Sequence, residues 1–176
     1  MRPLPDEDVV RIPRLRTERL LLRAPRIDDF DAFFEDASDP ESRQYIGGAL
    51  DRREAWRRFL QMGGNWGLLP GLGWWSVEGP GGAWVGCVGV FRRETGEEIE
   101  IGWALHRAHR RHGYATEAAK AALSYAVHVA GAPRVIAYIG LENTASMGVA
   151  ERIGMKRVER VDFYGDPHWL YDHHPR

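Results

Sequence analysis

The stretch with the most chemistry in it is Arg110-Arg-His-Gly-Tyr-Ala-Thr-Glu-Ala118. A turn of basic residues holding one glycine runs there straight into a series of good helix formers. The unpaired backbone N–H groups at a helix start point outward, together with the positive end of the helix dipole. Such a place suits a phosphate or diphosphate. Gly113 allows positive φ or a close backbone approach, Ala115 keeps the helix mouth uncrowded, and Arg107, Arg110 and Arg111 add charge for further phosphates. The same residues also fit a plain helix start with solvated arginines. A nucleic-acid patch is a third reading, against which stand the short extent of the basic segment and a formal net charge of -1.

Acid–base chemistry has candidates just upstream. Glu98 and Glu100 would project from one face of a strand about 7 Å apart. Like charges at that range, once partly desolvated, push one pKa upward toward a useful base; the alternative is two solvated glutamates on an exposed face. Of the two, Glu100 is the preferred base, while His106 and His109 are further options within the basic region. Ser146 shares an inward helical stripe with Val149, Ala150 and Ile153, so its hydroxyl needs a partner, either its own helix backbone or a ligand. Asn143 suits a helix N-cap, a ligand contact, or both. Cys87 stands in the apolar run Val85-Gly-Cys-Val-Gly-Val90 and reads as a small core residue rather than a nucleophile. Trp66, Trp74 and Trp75, beside glycines, fit either a pocket wall or the core, and Tyr164 is an alternative acid.

These residues need a scaffold, and the chain is long enough to build one. Its 176 residues, 44% hydrophobic with 24 basic and 25 acidic side chains, predict a single domain over 1–176 with a loose lead-in at 1–14. The balance argues against a disordered chain and against wholesale polyanion binding. No apolar run reaches the roughly 18–20 residues of a membrane helix, and the acids in MRPLPDEDVV do not suit a signal peptide, so a cytoplasmic protein with no membrane or nucleic-acid partner is expected. A single cysteine excludes an internal disulfide and a thiolate zinc cluster, and no metal is expected. Strands are predicted at Arg19–Ala24, Trp74–Glu78, Ala83–Arg93, Glu97–Leu105, Arg134–Gly140, Met155–Arg160 and His168–His173. A helix should begin near Asp28, and others should span Asp51–Met62 with a stop at Gly63-Gly64, Ala115–Ala130, and Asn143–Ile153. On the strand Glu97–Leu105, Ile99, Ile101, Trp103 and Leu105 share one face, where the Trp103 ring reads as core packing. The fold class is α/β (α+β).

The pattern Arg110-x-x-Gly113-x-Ala115 resembles the acetyl-CoA signature of the GNAT N-acetyltransferase superfamily. The lead-in Glu-Ile-Gly-Trp-Ala-Leu, the continuation Gly-Tyr-Ala-Thr-Glu-Ala, the later Glu-Asn-Thr-Ala-Ser and the opening Leu15-Arg-Thr-Glu-Arg-Leu-Leu-Leu-Arg are similar to the ribosomal-protein N-terminal acetyltransferase subgroup, over roughly residues 15–173. The resemblance implies a mixed, mostly antiparallel twisted sheet flanked by helices, with splayed central parallel strands. It implies acetyl-CoA as co-substrate and an amine as acceptor, with direct transfer and no acyl-enzyme, and a family that often forms homodimers. The diphosphate would lie on the turn Arg110, Arg111, His112, Gly113, Tyr114, Ala115 and Thr116, and the pantetheine arm would pair with backbone groups of Trp103 and Leu105, with Gly102 allowing a bulge. A backbone N–H near Gly102–Leu105 would serve the oxyanion. Asn143 and Ser146 would flank the cofactor, Ser146 returning a proton to the departing thiolate. Arg111 stands where the family commonly has glycine, and Gly148 where it often has arginine, with Arg152 a substitute one turn on. These departures leave a non-catalytic acyl-CoA sensor, or transfer of another acyl group such as succinyl, as alternatives.

Overall fold

The computed structural model describes residues 10–94 and 96–175. The elements are β1 (Leu15–Arg16), β2 (Leu21–Arg23), α1 (Phe30–Ser38), α2 (Pro40–Arg43) and α3 (Arg52–Leu68), then β3 (Gly73–Glu78), β4 (Trp84–Phe91) and β5 (Ile99–Leu105). There follow α4 (Tyr114–His128), β6 (Val135–Gly140), α5 (Thr144–Arg152), β7 (Lys156–Phe163) and β8 (Asp166–His173). One eight-stranded sheet runs in the order β1-β2-β3-β4-β5-β6-β8-β7. Every neighbouring pair is antiparallel except β5 and β6, which run parallel. The mixed fold with its mostly antiparallel sheet is the expected one.

Two apolar clusters hold the helices to the sheet. The larger joins α4 and α5 to β3 through β6, and contains Ile99, Ile101 and Leu105, with Trp103 packed at its margin. Ala118, Ala119, Ala122 and Ala126 of α4 are fully buried within it, because small side chains let the helix lie close to the strands. The second cluster joins Phe30, Phe33 and Ala37 of α1 to Ala55, Phe59 and Met62 of α3, over Trp84 and Cys87. Arg23 ties β2 to the start of α1: its guanidinium donates to both Asp29 carboxylate oxygens at 2.8 and 2.7 Å and to Glu78 at 2.6 Å, while Ser76 Oγ donates to Asp29 at 2.7 Å.

Several boundaries differ from the sequence expectation. The strand expected at Arg19–Ala24 is the short β2, paired with β1, and neither β1 nor α2 was anticipated. The helix expected to stop at Gly63-Gly64 continues to Leu68. Asp51 and Glu54 cap its start reciprocally, at 2.7 and 3.1 Å. Two interior glycines cost about 1 kcal/mol each. Burial of Met62 and Trp66, one turn apart, contributes about 1.5–3 kcal/mol each, so packing wins. β5 begins at Ile99 rather than Glu97. β7 and β8 are longer than expected and meet at a tight turn in which Tyr164 and Gly165 both have positive φ. The Pro13 carbonyl accepts from Trp75 Nε1 at 2.7 Å, tying down the end of the expected lead-in, whose residues 1–9 lie outside the described ones.

Candidate active site

The sheet opens at its one parallel pair. Only Ile99↔Val135 and Glu100↔Ile136 are partners between β5 and β6. Beyond them β5 continues to Leu105 and β6 to Gly140, each strand paired on its other edge, to β4 and β8. Successive residues of a strand turn their N–H and C=O to opposite edges. With His106 bonded to Val85 of β4, it is Ile101, Trp103 and Leu105 whose main-chain groups face the widening gap. Such unpaired edges accept an extended ligand as an additional strand. Trp103 and Leu105 both lie on this open stretch of β5, where the Leu105 carbonyl accepts from Arg110 Nε at 3.1 Å.

At the open end of the gap the chain makes a 3-10 turn at Arg107–His109 and enters α4. Arg111 has φ 65° and Gly113 φ 78°. For a non-glycine residue such as Arg111 the left-handed conformation costs of order 1 kcal/mol. Two left-handed residues before a helix turn successive N–H groups toward one point, the geometry of an anion cradle. Ala115 and Thr116 follow in the first turn of α4.

The arginines near this mouth are partly committed. Arg110 donates to the Leu105 carbonyl at 3.1 Å and to Ser42 Oγ at 2.7 Å, and lies 3.6 Å from Asp36. Arg107 pairs with Glu41 at 3.0 Å. Arg111 and His112 are exposed, and the His112 ring stacks on Tyr114 at 5.5 Å. Main-chain donors thus dominate the turn.

A brace from the opening strands fixes that turn. Glu117, in the first turn of α4, accepts from Thr17 Oγ1 at 2.6 Å, from the Arg19 amide at 2.9 Å and from Arg19 Nε at 2.7 Å. Arg19 also donates to the His112 carbonyl at 2.9 Å, with its guanidinium 4.9 Å from the Tyr114 ring centroid. Burial pushes the Glu117 carboxyl up, but the hydrogen bonds from Thr17 and Arg19 outweigh it and hold the group below its ordinary value. Sequence reasoning missed this brace, because its partners stand 98 residues apart with no local signal.

Arg152 reaches the same mouth from α5. Its Nε donates to Thr116 Oγ1 at 3.2 Å. A Cβ at Gly148 would stand 3.1 Å from the Arg152 guanidinium, so the glycine makes room for the side chain to lie across its own helix. Asn143 caps α5, its Oδ1 accepting from the Ser146 amide at 3.1 Å, and Ser146 is half-buried one turn in.

Glu100 sits where the two paired residues end and the gap begins. Its carboxylate is buried, and Arg93 binds it through both Nε and Nη2, the latter at 2.8 Å. Burial raises the Glu100 pKa, and Arg93 opposes that rise. The expected cause, repulsion from Glu98, is corrected: Glu98 lies before β5, is exposed and pairs with Arg134. Gly102 forms no bulge, since it pairs in register with Gly89; a Cβ there would meet the Trp74 ring at 2.9 Å. Its bareness admits Trp74, which stacks on Phe91 with centroids 5.0 Å apart beside Glu100. Trp66 and Trp75 are core residues instead. Cys87 is buried, which pushes its thiol up to about 12 and removes it as a nucleophile. His106 caps the turn after β5, its Nδ1 accepting from the Ala108 amide at 3.2 Å.

A family model described as an acetyltransferase (GNAT) domain matches residues 19–156. An N-acetyltransferase of Bacillus subtilis (strain 168), YnaD, is 32% identical over 146 residues, 81% of this chain and 82% of its own. The crystal structure of an acetyltransferase from Agrobacterium tumefaciens str. C58 superposes with a TM-score of 0.83 at 32% identity, covering 94% of this chain and 96% of that one. RimL, a ribosomal alpha-N-protein acetyltransferase solved in complex with coenzyme A, shares the fold at a TM-score of 0.72 and 15% identity, covering 90% and 95%.

Proposed function

The chain belongs to the GNAT acetyltransferase family, and on that premise we propose that it moves an acetyl group from acetyl-CoA directly to a primary amine, on a protein N-terminus or a small molecule, in the cytoplasm. One observation carries the reading: the gap between β5 and β6 opens toward a helix mouth where residues 111 and 113 are both left-handed. A coenzyme with a diphosphate at one end and an amide-bearing arm fits that pair of features. Backbone amides of Arg111–Thr116 would hold the diphosphate, with Arg152 beside Thr116 adding charge, and the Trp103–Leu105 backbone would pair with the arm.

Acetyl-CoA supplies an acetyl thioester, so that transfer forms an N–C bond and breaks a C–S bond. A primary amine enters protonated and must lose a proton before its lone pair can attack. Glu100 can take that proton, because burial lifts its carboxyl above the usual range. A main-chain N–H along the open edge of β5 stabilises the negative charge that builds on the carbonyl oxygen. Ser146 passes a proton to the sulfur as the thiolate departs and is resupplied, through water, by the second proton lost from nitrogen. The first proton leaves Glu100 to water, so an ammonium and a thioester become an amide, a thiol and one proton.

Thiol release measured with purified protein, acetyl-CoA and a panel of amines and peptides tests the assignment. Saturable, amine-dependent release is expected. Tight acetyl-CoA binding with no turnover on any acceptor would replace it with a sensor, and absence of binding below millimolar concentrations would remove it.

A further inference from the structure

Glu100 is engaged on both carboxylate oxygens by a cation from its own chain. Arg93 belongs to the loop after β4, and its guanidinium sits among aromatic faces: 5.5 Å from the Phe91 centroid, 4.6 Å from Phe163 and 5.7 Å from Tyr164. Rings around a cation, with a buried carboxylate at the base, form a cation-binding box. Its outer wall is held at a cost. Tyr164 adopts φ 52° at the tip of the β7–β8 hairpin, a conformation that favours glycine, and its hydroxyl donates to Glu94 Oε1 at 2.6 Å, joining the hairpin to the Arg93 loop. Each Glu100 oxygen keeps a second lone pair, so the carboxylate can still accept. What Arg93 holds is the space between that carboxylate and the rings, and any other cation seated there has to displace it.

We propose that this box is the subsite for the acceptor's cationic head, that Arg93 occupies it as an internal stand-in, and that the acceptor is an alkylamine which enters protonated and displaces Arg93. The inference rests on the acetyltransferase reading. It selects among amines: a protonated alkyl ammonium replaces the guanidinium like for like, whereas a zwitterion such as glycine would bring its own carboxylate against Glu100. Arg93 acts as a specificity and gating residue, touching the base rather than the acetyl group. Because the box is open only while Arg93 is out, the apparent affinity for an acceptor is reduced by that open fraction.

The test uses Arg93→Ala, with acetyl-CoA binding as the check that the fold survives. Guanidinium ion at low millimolar concentration should bind the variant, moving the amide NMR signals of Phe163 and Tyr164, and should leave the wild type unmoved. The KM for 1,4-diaminobutane should fall about tenfold in the variant, guanidinium should inhibit competitively against it there alone, and glycine should remain a poor acceptor. A second pair of variants guards against a general loosening. Tyr164→Gly removes the strained backbone and one face of the box. In the Arg93→Ala background it should raise the diamine KM about three- to fivefold. With Arg93 present it should leave KM nearly unchanged, because stand-in and substrate lose the same face. Equal guanidinium response in both proteins, or an unchanged or higher KM in Arg93→Ala, overturns the proposal. If the wild type binds no acetyl-CoA, the acetyltransferase reading itself has failed; if it acetylates amines while Arg93→Ala shows neither effect, only the stand-in has failed.

Discussion

Replacing Glu117 with glutamine separates the brace on the coenzyme turn from the rest of the fold. The carboxylate accepts from Thr17 Oγ1, the Arg19 amide and Arg19 Nε, all within 2.9 Å. Charge-assisted bonds of this kind contribute about 1.5–3 kcal/mol each where water is excluded. The Arg19 side chain is 43% exposed, so its share is cut to about 1 kcal/mol or less. Glutamine keeps one acceptor oxygen and loses the charge, leaving a net destabilisation of about 2 kcal/mol. For a chain of this size that is a Tm lower by about 4–8 °C at neutral pH. The pH dependence has a fixed sign. Glu117 is held below its ordinary value in the folded protein, so its stabilisation is complete above the unfolded value of about 4.3 and disappears as pH falls through the folded one. Thermal melts by circular dichroism should show a gap between wild type and variant at pH 7 that closes below about pH 4, where protonated glutamate resembles glutamine. A gap that is absent at pH 7, or that persists undiminished in acid, refutes the reasoning.

Glu100→Gln should lower kcat/KM for an amine acceptor about 100- to 10,000-fold and abolish the acidic limb of the pH–rate profile. In the wild type that limb rises with pH and lies above the usual carboxylate range, because burial favours the protonated form; a limb at an ordinary glutamate value would contradict the assignment. Arg152→Ala should raise the acetyl-CoA Kd about two- to fivefold and weaken its salt dependence in calorimetric titrations. Cys87→Ala should leave turnover intact, and native Cys87 should resist a thiol reagent at pH 8 because its pKa is near 12; rapid labelling of the folded protein would speak against this burial.

Local chemistry made part of this molecule legible. The small-residue stripe of α4, the glycine at its mouth and the alternation of β5 each bury or expose side chains on their own period, so the strand-to-helix turn stood out. The Arg111 strain could be anticipated because a turn that usually takes glycine held arginine instead. What pattern could not supply was partnership across the fold. Glu98 and Glu100 looked like a coupled pair, yet Arg134 and Arg93 take one each, and desolvation raises Glu100. Gly63-Gly64 signalled a helix end until Trp66 found its place against β3. The same holds for the Thr17–Arg19–Glu117 brace and the rings around Arg93, whose members converge only once the sheet has formed.

The account depends on where the coenzyme touches the main chain. Amide chemical shifts of isotopically labelled protein, followed while acetyl-CoA is added, read that directly. The largest saturable shifts should fall on the amides of Arg111–Thr116 and of Trp103–Leu105, with little change along β1–β3. Saturable binding that leaves both segments unmoved would contradict the central claim.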